Sequence, residues 1–156
     1  MTEPLNELPS VVDLTESVGS KRQRQKIHNK YLGIIGSMPH SKDQGPAFCE
    51  PIGAVCLVML EKLGALTDAT KTCCINLIHG LMQNNLYVEF LGHNRIAMAA
   101  ALVFLTYILC KCPRTNRTIS RMSSISMDAI RFTSRMLMKT LRIQWEGDGL
   151  IMEMKL

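Results

Sequence analysis

The spacing of apolar residues along the chain predicts a mainly α-helical protein. Apolar positions recur every three or four residues in four stretches, which is the pattern of helices that bury one face. The first predicted helix begins near Pro51 and ends at Gly64, because proline suits a first helical turn and glycine suits a helix end. The second begins after Thr67, a favourable N-cap residue, and continues to Asn84.

The third predicted helix is the most apolar part of the chain. It follows Asn94, stops before Pro113 and contains a run of 15 residues, from Ile96 to Cys110, that is apolar at nearly every position. A membrane span needs about 20 such residues, and Arg95 and Lys111 bracket the run closely. These features favour a central buried helix, with a membrane-inserted segment as the alternative. The fourth predicted helix begins at about Thr118 and ends at Lys139.

The two ends of the chain differ from its helical middle. Residues 1–45 are rich in polar residues and are punctuated by Pro4, Pro9 and Gly19, which predicts a flexible, disordered tail. From residue 140 onwards apolar and polar residues alternate around a turn-forming segment at 146–149, which predicts a C-terminal β-hairpin. The chain is therefore expected to comprise a tail at 1–45 and a single four-helix domain at 46–156.

The fourth predicted helix carries a distinctive row of basic residues. In a helical projection five cations fall within about 80° of one another, and we call them the predicted ridge: Arg117, Arg121, Arg131, Arg135 and Lys139. Asp128 is the one acid nearby, and like charges four residues apart destabilise an isolated helix. The predicted ridge therefore indicates a polyanionic partner, either nucleic acid, an anionic membrane surface or an acidic protein. An ordinary solvated helix face is the alternative.

Aromatic residues are scarce around the predicted ridge. Only Phe132 lies near it, whereas proteins that read single-stranded bases stack several aromatic side chains on them. The composition of this helix therefore favours electrostatic contact with a phosphate backbone or a lipid surface over recognition of bases.

Two short segments of the tail suggest partner binding. The apolar and acidic stretch Val11, Val12, Asp13 and Leu14 resembles a SUMO-interacting motif, which adds an extended strand to the edge of a sheet. A chance match in a disordered acidic tail is the alternative. A cluster that we call the basic arm follows and resembles a nuclear localisation signal or a nucleic-acid-binding arm: Lys21, Arg22, Arg24 and Lys26. A plain solvated charge run is the alternative here.

Composition narrows the class of protein. The chain has 156 residues, 47% of them hydrophobic, and a net charge of +5. Residues 1–20 are acidic and lack the apolar core of a signal peptide, so we expect a protein that is not secreted and is cytoplasmic, nuclear or peripheral to a membrane. Its six cysteines are then reduced and are expected to serve as small buried hydrophobic residues.

Catalytic and metal-binding signatures are weak. The pair Cys110 and Cys112 has no matching second pair, and Cys74 and His79 are poorly spaced for one metal ion. The chain contains no glycine-rich phosphate loop and no paired carboxylates of the kind that acid–base catalysis uses. We therefore expect a non-enzymatic protein without metal or cofactor.

Two features of the chain resemble paramyxovirus accessory C proteins. One is the helix rich in methionine, serine and arginine, and the other is the ending at residues 145–152, which reads Trp-Glu-Gly-Asp-Gly-Leu-Ile-Met. That family consists of small, mostly helical, non-enzymatic proteins that regulate viral RNA synthesis and blunt interferon signalling through protein contacts. The acidic start and the basic arm depart from it. Small matrix proteins of negative-strand viruses, which contact membranes and nucleocapsids through basic surfaces, are similar in composition.

These features together predict the function. The resemblance implies a viral accessory or matrix-type interaction protein that binds polyanions or host proteins, SUMO among them, through basic surfaces, and self-association is left open. The alternative is a nuclear regulatory protein that binds nucleic acid and carries a SUMO-interacting tail.

Overall fold

Helices dominate the computed structural model of this chain, which describes residues 18–39, 41–112, 116–146 and 149–152. The elements in this part follow in the order α1 (Val18–Ser37), α2 (Gln44–Lys62), α3 (Asp68–Met82), a 3₁₀ segment (Gln83–Phe90), α4 (Arg95–Leu109), α5 (Asn116–Ser123), α6 (Met127–Leu141), β1 (Ile143–Glu146) and β2 (Gly149–Met152). The prediction of a mainly helical chain is confirmed. The predicted count of four helices is wrong, because the described residues form six α-helices.

Helix α4 occupies the centre of the molecule. Residues 96–103 are all buried, and α4 contacts each of the other α-helices as well as β2. Asn94 caps the helix, since its side-chain oxygen accepts hydrogen bonds from the backbone N–H of Ile96 at 2.8 Å and of Ala97 at 3.1 Å. The predicted central buried helix is confirmed. Among the described residues, no helix combines the length and the apolarity that crossing a bilayer requires.

Local chemistry sets the boundary between α2 and α3 where the sequence predicts it. Gly64 adopts a φ of +69°, a left-handed conformation that suits glycine, and the N–H of Ala65 reaches back to the carbonyl of Leu60 at 2.9 Å. Thr67 then caps α3, because its hydroxyl accepts from the N–H of Thr70 at 3.2 Å and the Thr70 hydroxyl accepts from the N–H of Thr67 at 2.9 Å. This reciprocal pair satisfies two backbone donors that a helix start leaves free.

The start of α2 differs from the prediction. The helix begins at Gln44, so that Pro51 lies inside it instead of in its first turn. Phe48 and Cys49, which precede the proline, are buried against the rest of the fold. Burial of these side chains stabilises the additional turns and outweighs the one backbone hydrogen bond that Pro51 cannot donate.

The predicted flexible tail at 1–45 contains a helix. Helix α1 covers residues 18–37, and its Tyr31 and Ile35 are buried in the common core. The Tyr31 hydroxyl donates a hydrogen bond of 3.1 Å to the backbone carbonyl of Met122 in α5. Polar composition hides this helix from sequence inspection, because only its second half carries the apolar residues that dock it. The SUMO-like segment at 11–14 lies outside the described residues.

Two short strands follow α6. β1 and β2 pair antiparallel, with Gln144 opposite Ile151. Ile143, the first residue of β1, is buried. β1 contacts α6 and β2 contacts α4, so the two strands lie against the helical core.

Candidate polyanion-binding surface

The fourth predicted helix is divided into α5 and α6 at Ser124, which has a φ of +62°. Serine hydroxyls donate hydrogen bonds to backbone carbonyls on both sides of the break. Ser123 donates to the carbonyl of Ile119 at 2.7 Å, and Ser120 donates to the carbonyl of Ile125 at 2.5 Å. Serine side chains compete for backbone hydrogen bonds in this way and so favour turns and helix ends. The predicted continuous helix is therefore wrong.

The break separates the five cations of the predicted ridge. Arg117 and Arg121 lie on α5, and the other three lie on α6, so one helical projection does not describe their relative directions. All five side chains are exposed. Arg131, Arg135 and Lys139, four residues apart, still share one stripe of α6 about 12 Å long, and we call these three residues the α6 cationic face.

The opposite side of α6 packs in the core. Ile130, Leu137 and Leu141 are fully buried, and α6 packs closely along α4. Ser126 caps the start of α6 by accepting from the N–H of Ala129 at 3.1 Å. The α6 cationic face is thus presented on a helix that is fixed at its back and at its N-terminus.

The α6 cationic face is only partly neutralised. Arg131 lies 3.2 Å from Asp128, but that carboxylate is 96% exposed, and exposed pairs of this kind contribute little. Within the described residues, neither Arg135 nor Lys139 forms an ion pair with a carboxylate. Phe132 lies beside these cations and is 60% exposed, so an aromatic ring is also available at the edge of the face.

The basic arm lies on a docked helix. Lys21, Arg22, Arg24 and Lys26 are exposed residues of α1. The expectation of a flexible arm is therefore corrected for these residues, because the buried Tyr31 farther along the same helix holds α1 to the domain.

A further pair of cations comes together beside this arm, and sequence inspection missed it. The Lys62 ammonium lies 5.0 Å from the centre of the Tyr31 ring, next to Lys30 on α1. Burial and then the neighbouring Lys30 charge lower the pKa of Lys62. No local pattern could have revealed this contact, since Lys30 and Lys62 lie on different helices and meet only in the folded chain.

The cysteines are all free, and three of them, Cys49, Cys56 and Cys74, are buried. Burial raises the pKa of Cys49 to about 11 and the pKa of Cys73 to about 12. A cysteine nucleophile or metal ligand acts as the thiolate. The environment of these two thiols therefore opposes the ionised form that such chemistry needs.

One open surface depression of about 530 Å³ lies at the start of α3 and is lined by Asp68, Ala69, Thr72, Cys73, Asn76 and Leu109. Its thiol, Cys73, is one of the two whose pKa is raised by burial, and its carboxylate, Asp68, is exposed. In the part of the chain that the structure describes, no three His, Cys, Asp or Glu side chains are grouped so that they could hold a metal ion.

Comparison of the chain with protein-family models, with curated proteins and with solved structures finds no match. What its surfaces can bind must therefore follow from their own geometry and chemistry. The α6 cationic face combines accessibility, like charge and a rigid support.

Proposed function

We propose that the protein is a non-enzymatic binding protein and that the α6 cationic face contacts a polyanionic partner. The observation that carries this proposal is the arrangement of Arg131, Arg135 and Lys139 in one exposed stripe on a helix whose other side is buried. Two of the three cations have no carboxylate partner among the described residues. A negatively charged ligand would relieve the repulsion between them.

A phosphate backbone fits this face better than a bilayer does. Helices that bind in the plane of a membrane insert an apolar face between the lipid headgroups. The apolar face of α6 is already used in the core, where Ile130 and Leu137 are buried. Only Phe132 is exposed nearby, so contact with lipid would be almost purely electrostatic.

The biological setting stays a prediction. Viral accessory and matrix-type proteins act through contacts instead of catalysis, as the proposed function does, and a nuclear regulator that binds nucleic acid would need the same accessible cations. A SUMO partner would be recruited by residues 11–14. Substituting Val11→Ala and Val12→Ala should abolish capture on immobilised SUMO, and absence of capture by the unaltered chain would exclude that partner.

The test of the α6 cationic face measures binding to a polyuridine RNA and to phosphatidylserine vesicles over a range of salt concentrations. Single-stranded nucleic acid gives a slope of log affinity against log salt of about −0.7 for each phosphate contact. The double variant Arg131→Glu/Arg135→Glu should weaken RNA binding by about tenfold or more and make this slope shallower.

The matched control is Lys42→Glu/Lys71→Glu, which changes net charge equally at two exposed positions on the loop before α2 and on α3. If both double variants weaken RNA binding to the same extent, net charge and not the α6 cationic face is responsible. Unchanged binding in the α6 variant would remove the face from the contact altogether.

A further inference from the structure

Tyr31 fixes the direction of the basic half of α1. Its side chain is fully buried, and its hydroxyl donates to the Met122 carbonyl of α5 at 3.1 Å. Ile35, one turn farther along, is buried as well. Within the basic half itself, the Gln25 side chain donates to that of Asn29 at 2.9 Å, which supports the helix between its cations. The cations of α1 therefore have set positions relative to α2 and α5.

Three of these cations share one side of α1, and Lys62 of α2 lies beside the last of them. Arg22, Lys26 and Lys30 are each four residues apart, so they share one side of α1 and rise about 6 Å from one to the next. Lys62, in the last turn of α2, lies close to Lys30 and joins this group. All four side chains are exposed, and we call them the α1–α2 row.

The junction of the two helices concentrates positive charge. Lys62 lies over the Tyr31 ring at 5.0 Å from its centre, and its ammonium group is close enough to that of Lys30 for the two to interact. Among the described residues, neither lysine forms an ion pair with a carboxylate. Two like charges that meet without a counter-ion mark a place where an anion would bind favourably.

We infer that the α1–α2 row is a second binding site, which takes successive phosphates of one nucleic-acid strand. The inference rests on the proposed polyanion-binding function but concerns a different surface. Phosphates follow one another along a strand at a regular spacing, as the cations do along α1. The Lys30 and Lys62 pair would clasp one phosphate at the end of the row.

The composition of α1 distinguishes a nucleic acid from a membrane. Residues 21–26 read Lys-Arg-Gln-Arg-Gln-Lys and contain no apolar side chain, so this half of the helix has nothing to insert between lipids. Most apolar residues of the second half, Ile27, Tyr31 and Ile34 among them, pack on the core. Leu32 is 47% exposed, and a single side chain of this kind does not form an apolar face. A solvated phosphate backbone is the polyanion that such a surface fits.

Lysine acylation followed by mass spectrometry would locate the contact on the full chain. Saturating polyuridine RNA should protect Lys26, Lys30 and Lys62 from acylation by several-fold, whereas Lys42 and Lys71 should react as they do without RNA. Protection confined to Lys139 would overturn the inference and leave the proposed function standing. Protection of the row by phosphatidylserine vesicles and not by RNA would also overturn it.

Neutral variants give an independent measure. Lys30→Gln/Lys62→Gln should make the slope of log RNA affinity against log salt shallower by about 0.7, which corresponds to the loss of the one phosphate that the pair holds on a single strand. Lys42→Gln/Lys71→Gln should leave the slope unchanged, and circular dichroism checks that both variants keep their helices. If the slope is unchanged in Lys30→Gln/Lys62→Gln, the α1–α2 row is not a binding site, while the proposed function of the α6 cationic face still stands. If the unaltered chain binds neither RNA nor vesicles, the proposed function fails together with the second site.

Discussion

A single hydroxyl, that of Tyr31, links the pH of the solution to the docking of α1. Burial raises the pKa of Tyr31 from 10.0 to about 12. Because the pKa is higher in the folded chain than in the unfolded one, the uncharged hydroxyl favours folding. Its contribution is complete below pH 10 and should be lost as the pH rises through about 12.

The corresponding measurement is the free energy of unfolding in urea at several pH values around and above 10, for the unaltered chain and for Tyr31→Phe. The variant should be less stable by about 1 kcal/mol near neutral pH, since it lacks the hydrogen bond to Met122. It should lose less stability at high pH. Lysines and cysteines titrate in the same range in both proteins, so the difference between the two curves isolates Tyr31. Parallel curves would show that the hydroxyl is not buried.

The hydroxyl of Ser126 has a comparable role at the start of α6. It accepts from the N–H of Ala129 at 3.1 Å, and the residue is exposed, so its replacement does not disturb the core. Ser126→Ala should lower the free energy of unfolding by about 1 kcal/mol, whereas Ser126→Asp should retain the cap. The urea midpoint would measure the stability of each variant, provided that the slope of the free energy of unfolding against urea concentration is unchanged. Equal stability of the two variants would mean that this cap is not formed.

At the scale of elements, the boundaries that local chemistry controls could be predicted from the sequence. Gly64, Thr67 and Asn94 each end or begin a helix where their side chains predict it. The start of α2 and the existence of α1 could not be predicted, because they depend on the burial of Phe48 and Tyr31 by residues distant in sequence. A polar segment becomes helical here because one of its ends is anchored by the fold.

The division between α5 and α6 depends on the left-handed conformation of Ser124, which has a φ of +62°. Ser124→Val should lower the free energy of unfolding by about 1–2 kcal/mol, because a β-branched side chain is disfavoured there. Ser124→Gly should be neutral or stabilising. Denaturation in urea would measure the free energy of unfolding of both variants. Equal stability of the valine and glycine variants would indicate that α5 and α6 form one continuous helix after all.

At the scale of the whole molecule, stability is concentrated around α4. Leu102 is fully buried there, whereas Leu66 in the loop before α3 is 41% exposed. Leu102→Ala should lower the free energy of unfolding by about 2–5 kcal/mol, while Leu66→Ala should change it by less than about 0.5 kcal/mol. Similar losses in both variants would contradict the central position of α4.

The candidate binding surfaces were only partly predictable at this scale. Sequence periodicity correctly indicated that Arg131, Arg135 and Lys139 share a stripe, because they lie within one helix. Periodicity could not place Arg117 and Arg121 relative to these three, because the turn between α5 and α6 changes the direction in which side chains of the two helices point. It also could not bring Lys30 next to Lys62, because only the packing of α1 on α2 does so.

The alanines of α4 have a consequence for both charged surfaces. Ala99, Ala100 and Ala101 are fully buried, and the thiol of Cys56 on α2 reaches the Ala99 carbonyl at 3.5 Å. Helices approach one another closely only where side chains are small. A larger residue at these positions would push α2 or α6 outwards and change the distance between the cations of one and the cations of the other. These buried methyl groups therefore act as spacers that set the distance between the α6 cationic face and the α1–α2 row, the two surfaces that we propose contact nucleic acid.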